Sequence, residues 1–340
     1  MSVRLLILIA FIFNLAQACS IPVYRYAISQ WDVDAYRLVV FHKAPLNAAH
    51  NKIIDNLKAC FPNNSGGKSG RGQFLEIQIV SPDDSAAAQY RMVMKDYAKL
   101  PFPWAAVMFP RNNSIPIPVW AGALDSLPVK NLAVSPARET INRHLLSGET
   151  AVWVFVESGD KSKDEAALKA LDAGLKMCSD SLKLPETTRE DREQLGDIAN
   201  GLKVSFSIVK ISRTSAPEAH FLKMLMYSER GLGAFEKEPL AFPVFGRGRI
   251  LYTLAGKGIN ANNIREANSF LTGPCVCTVK DQNPGKDILM ACSWDAANPK
   301  NIVAKSNASA SAPMLRSMSS GQQCETNKSK LSESQQKARE

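Results

Sequence analysis

The residues best suited to chemistry are three cysteines near the C-terminal end: Cys275 and Cys277, one residue apart, and Cys292. Segments 278–280 and 288–290 flank the turn signal Asn283-Pro284-Gly285, a pattern that predicts a hairpin bringing the Cys-x-Cys pair up to the third thiol. Three thiolates in one place suit a soft metal, Cu or Zn, and an adjacent pair suits a strained disulfide that cycles. The spacing equally suits a structural disulfide between Cys292 and one of the pair, because no His or Asp stands at fourth-ligand spacing nearby. The remaining chemistry is sparse. Gly66-Gly67-Lys68-Ser69 has the end of a phosphate loop but Pro62 where that loop needs glycine, and reads as a flexible connection. His42, His50, His144 and His220 are dispersed, and neither Gly-x-Ser-x-Gly nor His-Glu-x-x-His occurs.

The first residues predict export. Arg4 precedes an apolar run over 5–15, too short to span a bilayer, and Ala16-Gln17-Ala18 is a small-x-small cleavage site. A signal peptide over 1–18 is therefore expected, with the mature chain starting at Cys19. The segment Leu15-Ala16-Gln17-Ala18-Cys19 resembles a bacterial lipobox, although Leu and a small residue usually stand three and two positions before the cysteine, where this chain has Ala16 and Gln17. The resemblance implies a diacylglyceryl group on Cys19. Ser20 after it implies outer-membrane sorting, on the periplasmic side of the envelope. The other reading is a soluble secreted chain with Cys19 in a disulfide.

Composition is that of a packed globular protein, 45% hydrophobic, with 41 Lys and Arg against 32 Asp and Glu for a net charge of +9. The basic excess is scattered, so nucleic acid is not an expected partner. A protein of the envelope and the membrane itself, through the lipid, are the expected ones.

The elements that must position these residues follow one order twice. In the first region 36–41 is a run of β-formers, 48–59 has helical spacing, 74–80 alternates, 85–99 is helical, 103–109 and 115–124 form a hairpin, and 135–146 is a helix with Ser135 as cap and Pro136 at its first position. In the second, 151–156, 164–178, 204–209, 217–229, the hairpin 239–245 with 249–254, and 263–271 repeat that sequence of types. The expected fold class is α/β, with domains at 19–148 and 149–272, each a mixed sheet flanked by helices. The cysteine-containing hairpin over 273–297 and a disordered tail over 298–340 follow.

A β-α-β-α-β-β-α order opening its hairpin with Pro103-Trp104-Ala105-Ala106-Val107-Met108-Phe109, and again with Pro239-Leu240-Ala241-Phe242-Pro243-Val244-Phe245, resembles the thioredoxin fold in tandem. The resemblance implies cis-prolines at Pro103 and Pro239, and puts His42 at the active edge beside Pro103. It also implies a redox Cys-x-x-Cys after each first strand. This chain has His42-Lys43-Ala44-Pro45-Leu46 and Glu157-Ser158-Gly159-Asp160-Lys161 there, without a cysteine. Ordinary thiol exchange cannot run at those positions. The whole chain also resembles uncharacterised exported bacterial lipoproteins. The expected role is non-catalytic binding or scaffolding, with thiol redox or soft-metal handling at Cys275, Cys277 and Cys292 as the alternative.

The lipid carries a quantitative consequence. Its acyl chains bury dozens of methylenes at about 0.8 kcal/mol each, a hold that salt does not screen. Membrane fractions are expected to retain the protein through a high-salt wash and release it to detergent, and Cys19→Ser to move it to the soluble extracytoplasmic fraction or block processing. Intact mass showing an unmodified Cys19 in soluble protein would remove the anchor.

Overall fold

The computed structural model describes residues 20–61, 74–94, 99–195, 202–275 and 279–294. Helix α1 (Val23–Gln30) leads into β1 (Tyr36–Phe41), α2 (Ala48–Ala59), β2 (Leu75–Val80), β3 (Trp104–Met108), β4 (Pro118–Ala123), the short α3 (Val129–Ala133) and α4 (Pro136–Leu146). The second half comprises β5 (Ala151–Glu157), α5 (Lys161–Ser181), α6 (Arg189–Leu195), β6 (Phe206–Ser212), α7 (Ala219–Met226), β7 (Leu240–Phe245), β8 (Arg249–Ile250), β9 (Leu254–Ala255), α8 (Ala261–Thr272) and β10 (Lys286–Asp287). Among the described residues no helix is long and apolar enough to cross a membrane. The expected signal peptide, Cys19, the 66–69 loop, Cys277 and the tail beyond 298 lie outside the described residues.

Two mixed sheets carry the fold. The first runs β2-β1-β3-β4, with β1 parallel to β2 and the other neighbours antiparallel. In the second, β6-β5-β7-β8 repeats that order and those senses, and β10 extends its edge. The central strands explain themselves: β1 and β5 are near-continuous apolar runs because both of their faces are covered. Leu38 and Val40 face one way, with α2 and α4, while Val39 and Phe41 face the other, against a 3-10 turn over Ser85–Tyr90. In the second sheet Trp153 and Phe155 meet α5 and α8, and Val152 and Val154 meet α7. The helical face of the first sheet and the α7 face of the second close on a single shared hydrophobic core.

The helix starts follow from local chemistry. Asn47 caps α2 by accepting from His50 N–H at 2.9 Å, and Asp160 caps α5 by accepting from Ser162 and Lys163. Ser135 does not cap α4 as expected. Its hydroxyl accepts from Arg138 Nε, and the Ala137 N–H donates instead to Glu218 Oε1 at 2.8 Å, a carboxylate from the second half of the chain. Of the helix expected over 85–99, Ser85–Tyr90 is a 3-10 turn without a side-chain cap, the Asp84 carboxylate accepting from the Ser81 N–H, and 95–98 lie outside the described residues.

Two further expectations are corrected. The second hairpin splits into β8 and β9. The Pro243 carbonyl, facing β8, accepts from Leu251 N–H, so the missing proline N–H faces that side too and the ladder breaks there. The hairpin expected around Asn283-Pro284-Gly285 does not form, because Lys286 and Asp287 pair with Ile250 and Arg249 of β8. Helix α1 packs on α8 and β7 of the second half, clipped by Val23 N–H to Gly273 O and Cys275 N–H to Ile21 O. At the β7–β8 turn Gly246 has φ of 58° and would drive a Cβ to 2.8 Å from Ala27, so glycine is required where α1 seats.

Asp287 fastens the pieces together. Its carboxylate binds Arg249 at 2.9 Å, Lys280, and the Asp34 N–H at 2.8 Å, and its carbonyl accepts from Tyr36 Oη. Lys280 also reaches Asp34 at 2.8 Å. Beyond Asp287 the strap drives Ile288, Leu289, Met290 and Trp294 into the shared core. Burial alone would push the Asp287 carboxyl up, but Lys280 and Arg249 outweigh it and hold the group below its usual 3.8. A depressed acid contributes its stability fully above that ordinary value and loses it as pH falls through the lower folded one. Asp287→Asn is expected to cost about 3–5 kcal/mol at pH 7 by denaturant unfolding. The gap from wild type should narrow at pH 3 and below, and a pH-independent gap would refute the charge origin.

Candidate functional site

Of the cysteines singled out by spacing, Cys275 and Cys292 fall in different clusters of the core. Cys275 lies among Trp153, Phe155 and Leu271 on one face of the second sheet, whereas Cys292 lies on the opposite face, in the shared core with Val154 and Phe242. The reason is the pairing of β10 with β8, which carries the strap across to the far side of the sheet instead of back along itself. Cys277 is outside the described residues. Among the described residues no group of three or more His, Cys, Asp and Glu side chains is placed to hold a metal. Burial pushes the Cys292 thiol up to about 12. Such a thiol is protonated at neutral pH and a poor nucleophile.

The edge singled out by the repeated order is present in the first half. Pro103 follows a cis peptide bond from Phe102, and because Phe41 pairs with Trp104, His42 leaves its strand at the same edge. His42 Nδ1 lies 3.1 Å from Ala44 O, and the Lys43 ammonium lies 4.6 Å from the centre of the Phe102 ring. The matching edge of the second half differs. Pro239 is in the trans form, contrary to expectation. The residue before it is held on both sides, Glu238 O by Arg213 at 2.6 Å and Glu238 Oε1 by Lys163 at 2.5 Å. Asp164 fills the loop in front by accepting from Ser158 N–H and hydroxyl and from Gly159 N–H.

A serine, a histidine and a carboxylate do meet, at His144, Glu149 and Ser207. Glu149 Oε1 lies 2.7 Å from His144 Nδ1, Ser207 Oγ lies 3.2 Å from that same nitrogen, and the Ser207 hydroxyl lies 2.8 Å from the carboxylate. A nucleophilic triad needs the serine on one ring nitrogen and the carboxylate on the other. Here both crowd Nδ1 and the serine proton goes to the carboxylate, so the trio ties the end of α4 to β6 rather than activating an oxygen.

A further concave surface is one that sequence reasoning missed. A cleft of about 820 Å³ opens between the turn after β3 and the loop after α7, with Lys286 of the strap beside it. The 3-10 turn Arg111–Asn113 ends at Ser114, whose φ of 52° is left-handed, and this pushes 114–116 out as one wall. Tyr227 stands on the other wall, 44% exposed, its ring 6.2 Å from Phe109. Glu229, Arg230 and Glu236 add charge of both signs. On the far side of 114–116 a smaller recess of about 400 Å³ is lined by Arg37, Gln89 and Arg111. The only sequence signals for either were the Asn112-Asn113-Ser114 turn and the glycines Gly231 and Gly233, which mark loops without saying that two distant loops face each other.

No family model matches the chain, and no curated protein or solved structure is similar to it at a significant level. The thiol geometry has a direct check. In reduced protein at pH 8, iodoacetamide is expected to modify Cys292 at least about a hundredfold more slowly in the native state than in denaturant, as read by peptide mass mapping. Equal rates would contradict its burial.

Proposed function

We propose that this chain is a non-catalytic binding protein of the bacterial envelope, built from two thioredoxin-like units that carry no redox cysteines at their active edges. The observation that carries the reading is the twice-repeated strand order with the same parallel and antiparallel senses, ending at loops His42–Leu46 and Ser158–Asp160 that hold no cysteine. The helices support it. In each half the first and last helices of the repeat share one face of the sheet and the middle helical segment takes the other. The cis bond before Pro103, beside His42, supports the likeness in the first unit. The trans bond before Pro239 makes the second unit the more divergent.

A scaffold of this kind acts by what it holds. The cleft between the two units is the surface we assign to a partner protein of the envelope, because both units build it and an exposed aromatic, Tyr227, stands in its wall. Export and a lipid on Cys19 would tether that cleft on the periplasmic side of the outer membrane. The test is an insulin-reduction assay run beside metal analysis of protein purified under reducing conditions. Turnover no faster than dithiothreitol alone and substoichiometric metal are the expected results. Turnover abolished by Cys277→Ser, or one equivalent of Cu or Zn, would replace binding with redox or metal handling.

A further inference from the structure

Arg37 is a buried charge that makes no ion pair among the described residues, and the acid beside it in the sheet, Glu76 of β2, is exposed. Arg37 is 8% exposed, yet its contacts are a hydrogen bond to Tyr90 Oη at 3.0 Å, another to Phe109 O at 3.3 Å, and the Tyr90 ring 5.7 Å away. Its Nε is sealed from water and has no acceptor. Arg249, buried to a similar degree at 6%, is paired with two carboxylates, Asp287 and Asp34. A guanidinium is a permanent charge, so burying one calls for hydrogen-bond acceptors around it. Arg37 also lines the smaller recess, where a second guanidinium, Arg111, joins it and none of the lining residues is acidic. Arg111 is bound only loosely, to Gln89 Oε1 at 3.4 Å, and neither arginine is in an ion pair among the described residues. Two like charges beside a hollow, one of them nearly dry, are an arrangement that an oxyanion would relieve.

We infer that Arg37 and Arg111 form a subsite for an oxyanion, a phosphate or carboxylate group, at one end of a longer ligand whose body lies in the larger cleft. Ser114, Ile115 and Pro116 line both spaces, so the subsite adjoins the larger cleft across that one segment. The inference deepens the binding reading and rests on it only for what the anion is attached to. The experiment is thermal unfolding of the mature protein against sodium phosphate or sodium acetate, with ionic strength held constant by NaCl. A saturable rise in Tm is expected with at least one of the two anions. Phosphate alone would point to a phosphate ester, and acetate alone or both to a carboxylate-bearing ligand. Arg111→Ala, a change at an exposed position, is expected to weaken the response at least tenfold. Gln89→Glu supplies an internal carboxylate, and is expected to raise Tm without added anion and to blunt the response. No saturable effect from either anion, or equal effects in wild type and both variants, would overturn the subsite. Thiol turnover in the insulin assay would instead sink the binding reading and leave the subsite standing.

Discussion

A carboxylate with almost no access to water, Asp287, is the interaction on which the rest of the structure depends. It takes Arg249 from the second sheet, Lys280 from the approach to the strap, and the backbone of Asp34 from the lead into the first sheet. Three stretches far apart in sequence therefore meet at one group. Bringing charges out of water is costly, and these are offset only because each finds an opposite partner and the hydrogen bonds fill the remaining positions. The pairing fixes the path of the strap, and the strap in turn supplies Leu289 O to Arg138, another buried guanidinium. Burial lowers Arg138 to about 10 against the opposing influence of Glu218, and three backbone carbonyls besides Ser135 accept from it.

Glu218 and Arg138 show how the halves are joined. Glu218 comes from just before α7 and satisfies an N–H at the start of α4, so a helix of the first unit is completed by a residue of the second. The shared core on either side has contributions from both sheets. Two units packed this way cannot rotate freely without exposing apolar surface and unpairing a buried acid. The cleft lies where the connections of both units run out at the rim of that joint, and this explains why a loop after β3 and a loop after α7 line it together.

Much of the fold was legible because its local signals agreed with its global role. The runs at 36–41 and 151–156 are strands covered on both faces, and the helix read over 48–59 stands at those residues, whereas α5 starts at Lys161 behind its Asp160 cap and not at 164. Ser135 was misleading for a clear reason: an N-cap-like residue was used by Arg138, and a distant carboxylate took its place. Pro243 was readable as a strand residue, but its missing N–H matters only once the side it faces is known.

The sequence by itself determined the central strands and most of the long helices, the similar order of types in the two halves and the absence of cysteines at 42–46 and 157–161, because periodicity and residue identity are local properties. It could not determine where Cys275 and Cys292 fall relative to each other. A two-residue pairing of β10 with β8 outweighed a good turn signal and placed the cysteines on opposite faces of a sheet. Nor could it show that Arg37, one polar residue in an apolar strand, is buried beside Arg111 at a recess whose lining holds no acid. Burial, counter-charge and the space between loops arise only when distant segments pack, and those are the properties on which the candidate site rests.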